Sequence, residues 1–145
     1  MRTILFRGER KPLGLSMDFE STFVFGDLII DSSPNQKPYI RHEGKVYEVY
    51  KDTVGQFSGL YDRKQREIYE GDILKWAKNK RLYVVKFMDG MFYASVEECN
   101  EGIYGGFPLH VLASHKEKGY ECEIVGNIHE NKELLKKENN EEDNV

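Results

Sequence analysis

The apolar positions of this chain fall in short runs separated by turn-forming residues. Residues 3–7 (TILFR), 23–30 (FVFGDLII), 39–42 and 46–50 are rich in β-branched and aromatic side chains, which suit a pleated, half-buried surface. Between them stand Pro12, Gly14, Ser33-Pro34-Asn35 and Glu43-Gly44, so the pattern predicts a meander of antiparallel strands. The second half opens with runs at 68–76, 82–87 and 91–96, the last two separated by Asp89-Gly90. Asp-Gly flanked by apolar runs is a strong hairpin signal. Residues 97–120 are less regular, with Gly102, Gly105, Gly106 and Pro108; one short element is expected at 109–113 and a closing strand at 122–128. Asn131 is suited to cap a short helix over 132–137, with Glu133 in its first turn and Leu134 and Leu135 docking it.

The same pattern occurs twice. Residues 24–29 (VFGDLI) match 69–74 (YEGDIL), and 39–41 match 84–86, at an offset of 45; 43–47 (EGKVY) match 89–93 (DGMFY) at an offset of 46. Val54-Gly55-Gln56-Phe57 resembles Val125-Gly126-Asn127-Ile128 if residues 97–120 are an insertion in the second copy. Glycine in the Gly26-Asp27 and Gly71-Asp72 steps would accept positive φ at a bend, and the aspartate would satisfy amides the bend leaves unpaired. In the Val-Gly-amide step, Gly55 and Gly126 would permit a bulge or a close backbone crossing, and Asn127 could bridge strands. The expectation is a mainly β protein of two tandem, small, SH3-like open-barrel units. Residues 1–58 would form the first, 59–137 the second with its insertion and short C-terminal helix, and 138–145 an acidic disordered tail. On this view residues 54–74, Gly59 included, are the covalent hinge between the units.

Composition narrows the function classes. With 39% hydrophobic and 12% aromatic residues in 145, the chain can bury a core without disulfides or metal. Cys99 and Cys122 have no metal-ligand spacing, and MRTILFRGER is too short and charged for a signal peptide. No run is long enough to span a bilayer. A cytoplasmic protein with reduced thiols and no membrane partner is expected. The net charge is -4, but Glu138, Glu141, Glu142 and Asp143 account for all of it, leaving the rest of the chain neutral. Such a balance argues against a broad basic surface and leaves room for a local one.

Residues 54–74 (VGQFSGLYDRKQREIYEGDIL) and 124–135 (IVGNIHENKELL) resemble the two signature blocks of the YopX family of phage and prophage proteins. Those blocks run V-G-Q-[YF]-[ST]-G-L-x-D through [IV]-[YF]-E-G-D-[IV], and end near [IV]-G-N-I-x-[DE]-N. Residues 6–8 (FRG) and 23–28 fit the family's opening, so the resemblance spans about 3–135. Two departures stand out. Lys64-Gln65 replaces a frequent Asn-Gly, so Asp62 is expected to organise a wider turn. Lys132 replaces a frequent proline, leaving the terminal helix less pre-set. The resemblance implies a β-rich, intracellular, phage-derived protein with no established activity.

Candidate chemistry is sparse. His42, His110, His115 and His129 show no metal-binding spacing. Gly102-x-x-Gly105-Gly106 neither follows a clear strand nor opens a helix, Ser58 and Ser95 show no activating base, and either cysteine reads as an inert buried thiol. Glu67, Glu70 and Asp72 form a carboxylate cluster that a solvated strand face explains as well. The most suggestive group is Lys75, Lys78, Lys80, Arg81 and Lys86, interleaved with Trp76 and Tyr83 on one hairpin. It could clasp phosphates and stack a base; a solvated hairpin tip with both aromatics in the core explains the same residues. Tyr104, Phe107 and His110 in the insertion form the other group, a contact surface or a lid. The sequence thus favours a non-enzymatic binding or assembly module without cofactor, working by self-association or through a phage or host protein. Nucleic-acid binding by the hairpin is the alternative, and an enzyme the least supported reading.

Overall fold

The computed structural model describes residues 1–12, 22–96, 105–113 and 122–135. The chain divides into two compact units, Met1–Phe57 and Ser58–Val145. The expected acidic tail, and Cys99, Gly102, Tyr104 and His115, lie outside the described residues.

In the first unit β1 (Phe6–Glu9), β2 (Phe23–Ile30), β3 (Pro38–His42), β4 (Lys45–Glu48) and the start of β5 (Gly55–Tyr61) form an antiparallel sheet in the order β4-β3-β2-β1-β5. The β3–β4 turn places Glu43 at φ 49° and Gly44 at φ 79°, the mirror-type geometry whose twist suits a two-residue hairpin. Asp31 organises the preceding turn by accepting from Ser33 Oγ at 2.6 Å and Lys37 N at 3.0 Å. Thr53 ties the 3-10 turn at Lys51–Thr53 to β1: its hydroxyl donates to Tyr50 O and accepts from Glu9 N. Ile40, Val49 and Phe57 are buried here, each contributing about 1.5–3 kcal/mol by leaving water.

In the second unit the far half of β5 leads through the 62–66 turn to β6 (Glu67–Tyr69). There follow β7 (Asp72–Trp76), β8 (Leu82–Met88), β9 (Met91–Val96), β10 (Gly105–Pro108) and β11 (Cys122–Asn127), a sheet in the order β10-β9-β8-β7-β11. One face of this sheet carries Leu74, Tyr83, Val85, Ala94 and Cys122, which pack with Leu60, Ile68, Leu109 and Leu112 into the core. Asp89 at φ 54° and Gly90 at φ 77° form the expected hairpin turn. Residues 133–135 are helical.

The protein is mainly β, as expected, with antiparallel pairing throughout the described strands. Several local expectations are corrected. The run at 68–76 is two strands, because Gly71 at φ 89° breaks it. Residues 55–61, read as part of a hinge, form strand β5, and β10 arises in the stretch read as irregular. Asn131 does not cap the helix with its side chain, which turns back to accept from Asn127 N at 3.2 Å.

The repeat holds for the three-strand meanders β2–β3–β4 and β7–β8–β9, with one slip. Leu28 faces Ile40 in the first unit, but Ile73 faces Val84 in the second. Ile40 therefore corresponds to Val84, not Val85; a one-residue shift would exchange the faces of the strand. The return strands also differ. β5 pairs with β1, whereas β11 pairs directly with β7 and bulges between Ile124 and Gly126.

Gly26 and Gly71, equivalent in sequence, are glycines for different reasons. Gly71 occupies the positive-φ region. Gly26 lies within β2, where an added Cβ would run into the carbonyl of Arg41. Gly26→Ala is expected to cost about 2–4 kcal/mol through overpacking against backbone. Gly44→Asn, at a left-handed position with open space around it, should stay within about 1 kcal/mol. Urea unfolding of the two variants checks this; equal losses would refute the close approach.

Candidate functional site

The candidate surface lies on the second unit, where β7 and β8 meet at the 77–81 loop. Trp76 N donates to Arg81 O at 3.1 Å, and Lys80 N donates to Trp76 O at 2.7 Å with Lys80 at φ 59°. Asn79 fixes the loop from within, accepting from Arg81 N and donating from Nδ2 to the Tyr83 hydroxyl at 2.7 Å. Lys75, Lys78, Lys80 and Arg81 are exposed around this frame, and Lys86 is half-buried farther along β8. The Lys78 ammonium sits 5.4 Å from the Trp76 ring centre, a cation–π distance.

The aromatics divide. Tyr83 is 1% exposed and belongs to the core, while Trp76 is half-buried. The exposed ring is Phe107, contributed by β10 and 40% exposed. It meets Trp76 edge-on at 5.6 Å and Tyr83 at 6.2 Å, and Trp76 meets Tyr83 at 6.0 Å. The hairpin and the insertion, separate candidates in the sequence, thus build one shelf. Register explains how: Phe107 pairs with Ala94, whose neighbour across the next ladder is Val85, two residues from Tyr83 on the same face. His110 is exposed on the adjoining 3-10 turn, Leu109–Val111.

Residues singled out for structure occupy distinct roles. Asp72 is buried and accepts from Tyr69 N at 2.8 Å, closing the turn at Gly71. That replaces the solvated-face account for Asp72 alone; Glu67 is exposed and accepts from the Tyr69 hydroxyl, and Glu70 is half-buried. Asp27 is instead exposed and faces Arg41 across the ladder. Gly55 is buried opposite Arg7, and Gly59 has φ 83° within β5. Asn127 organises its own turn, accepting from His129 N and Glu130 N at 3.0 Å, rather than bridging strands. An added Cβ at Gly126 would come within 2.6 Å of Asn131 Oδ1.

The residue the sequence undervalued is Asp62. Its Oδ1 accepts from Lys64 N and Arg66 N at 2.9 Å, and its Oδ2 accepts from Arg66 Nε at 3.0 Å and Ile124 N at 3.1 Å. Gln65 at φ 64° allows the wider turn that the Lys64-Gln65 departure implied. Arg63 N donates to Cys122 O at 2.9 Å and Arg66 Nη2 to Ile124 O at 2.8 Å, so the turn covers the outer edge of β11. The side chain of Asp62 is wholly buried. Burial alone raises its pKa, but the amides of Arg66 and Ile124 and the Arg66 guanidinium outweigh it and hold the carboxyl below its ordinary 3.8.

Beside this turn Glu123 takes Lys64 Nζ at 2.6 Å and Arg63 Nη2 at 3.0 Å. The Lys64 hydrogen bond leads in lowering its pKa, against some desolvation, and the charges of Arg63, Lys64 and Arg66 reinforce it. Cys122 is fully buried, and desolvation first and the Asp62 charge second push its thiol up to about 12. Ser58 Oγ accepts from Leu60 N, and Ser95 is buried. Among the described residues no group of three or more His, Cys, Asp and Glu is arranged to hold a metal, and no helix is long and apolar enough to cross a membrane.

A family model described as YopX protein matches residues 27–136. The solved structure of protein EF1440 from Enterococcus faecalis is similar to this chain at 23% identity and a TM-score of 0.45, covering 93% of this chain and 99% of that one. No curated protein matches.

Two expectations follow. Asp62→Asn should cost about 3 kcal/mol near neutral pH, since it leaves buried donors short of an acceptor. A carboxyl lowered in the folded state stabilises above its unfolded pKa, and the effect is lost as pH falls through the folded value. The wild-type advantage should therefore shrink below pH 3.8; denaturant melts across that window check it, and a constant difference would refute it. In a Cys99→Ser background, Cys122 should react with a maleimide at least about 100-fold more slowly folded than in denaturant. Equal rates would place the thiol at the surface.

Proposed function

Since this chain belongs to the YopX family, matching its model over residues 27–136, we propose that it is a non-enzymatic binding or assembly module of a phage or prophage. Its two curled β units, SH3-like in size and meander, serve as the scaffold. The observation that carries this reading is the outer strand β10. It ends the strand order of its sheet and carries Phe107, exposed and backed by Trp76. Among the described residues no strand pairs with its outer edge, and such an edge with an exposed ring is a template for another chain, a second copy being the simplest occupant. Three nucleophile candidates among the described residues fit a non-catalytic role: Ser58 is engaged by a backbone amide, Ser95 is buried, and the Cys122 thiol is pushed towards its protonated form.

A second reading, a nucleic-acid-binding accessory protein, is favoured by one feature. Lys78, Lys80 and Arg81 are exposed on the loop that Trp76 opens, with Lys78 against the Trp76 ring of the Phe107–Trp76 shelf, and Lys75 is exposed on the opposite face of β7. Cations next to an aromatic platform suit a flexible phosphate chain with unstacked bases.

Sedimentation velocity at tens of micromolar tests the first reading. Wild type should sediment as a dimer or larger species, and Phe107→Glu should return it to monomer with its unfolding midpoint nearly unchanged. A wild type that stays strictly monomeric, or a Phe107→Glu protein that still associates, would overturn self-association through β10.

A further inference from the structure

We infer that the cationic surface of the second unit runs as one band from the 63–66 turn, across the start of β11, to the 77–81 loop, and that this band carries the phosphate backbone of a single-stranded nucleic acid. The inference rests on the nucleic-acid reading of the β7–β8 hairpin and extends it to a segment that reading did not include.

Adjacency comes from the backbone. Arg63 N bonds to Cys122 O at 2.9 Å, placing the turn directly beside β11. Cys122 and Glu123 lie opposite Trp76 and Lys75 on β7, and Trp76 opens the 77–81 loop. Neighbouring strands are about 4.8 Å apart, so the turn lies roughly 10 Å from β7, within reach of side chains as long as lysine and arginine. Arg63, Lys64, Lys75, Lys78, Lys80 and Arg81 are all exposed. They come from three segments that the sheet makes neighbours.

Asp62 and Glu123 lie within the band, and Glu67, exposed directly after Arg66, accepts from the Tyr69 hydroxyl at its end. Asp62 is wholly buried and bonded to Arg66, so it balances that arginine. Glu123 is 27% exposed and holds Arg63 and Lys64. The band therefore keeps a surplus of positive charge although the whole chain carries -4. A polyanion gains from it through counterion release. Trp76 and Phe107 lie on the opposite face of the sheet from Lys75 and Glu123. A single strand following the band therefore turns over the 77–81 loop, where Lys78 sits against Trp76, to reach ring surface that paired, stacked bases could not use. Glu123 acts as an internal counter-ion, holding Arg63 and Lys64 closely and Arg66 at 4.0 Å until a phosphate competes for them.

Fluorescence anisotropy with labelled oligothymidylate of about 20 nucleotides, titrated with the full chain over a range of salt, tests the band. Arg63→Gln with Lys64→Gln should weaken binding about tenfold at low salt and flatten the slope of log K against log salt by about 0.7 for each phosphate no longer neutralised. Lys78→Gln with Arg81→Gln should do the same. Glu123→Gln should bind several-fold more tightly with a steeper slope, a gain that misfolding cannot mimic. If the hairpin pair weakens binding while the 63/64 pair and Glu123→Gln leave it unchanged, the band is refuted and the hairpin reading survives. If wild type does not bind at low salt, both fall. Retention on heparin without oligonucleotide binding would assign the band to an acidic protein surface, and equal affinity for duplex would refute the single-strand assignment.

Discussion

The second unit is held by a buried carboxylate. Asp62 is taken wholly out of water, which would cost several kcal/mol for an unpaired charge. It survives as a carboxylate because Lys64 N, Arg66 N, Ile124 N and the Arg66 guanidinium all aim donors at it. Of the three amides, two come from the turn itself and one from β11, 62 residues away in sequence. A local turn and a distant strand are thus joined at one pair of oxygens. The outer groups of β11 at Cys122 and Ile124 are satisfied by the same turn, so the strand edge is occupied instead of being offered to another chain.

That arrangement also sets the surface chemistry. Once the turn lies along β11, Arg63 and Lys64 fall beside Glu123, and Glu123 lies across the ladder from Lys75. A structural lock therefore brings two cationic segments onto one surface, with a single partly exposed carboxylate between them. Phe107 is brought to Trp76 by the β7–β8, β8–β9 and β9–β10 ladders, each between strands that follow one another in the chain. The candidate surface is the meeting of one long-range constraint and three short-range ones.

The signature blocks of the family acquire a physical basis from this geometry. In Asp62 to Asp72 the first aspartate ties the turn to β11 and the second closes the Gly71 bend. In Val125 to Asn131, Gly126 gives room to the Asn131 side chain, and each asparagine accepts from backbone amides of the other's segment or its own. These positions are consumed in shaping backbone. The exposed cations and Phe107, outside the blocks or at their turns, are the groups on which the proposed ligand contacts rest.

Read as a string of residues, the chain already declares its β class, the hairpins at Glu43-Gly44 and Asp89-Gly90, the doubled meander and the family, because these depend on nearest-neighbour chemistry: branched and aromatic runs, and residues that tolerate left-handed backbone. Asp62 as a turn organiser, and Lys75, Lys78, Lys80, Arg81 and Phe107 as surface groups, are legible in the same way. It takes the folded chain to show that Gly26 is spared a clash while Gly71 supplies a positive φ, that Val84 rather than Val85 answers Ile40, and that β11 lies beside β7 and the 63–66 turn. Pairing between segments some sixty residues apart leaves no periodicity in either segment. It is fixed by which donors can reach a buried acceptor, and that is known only once the chain has folded.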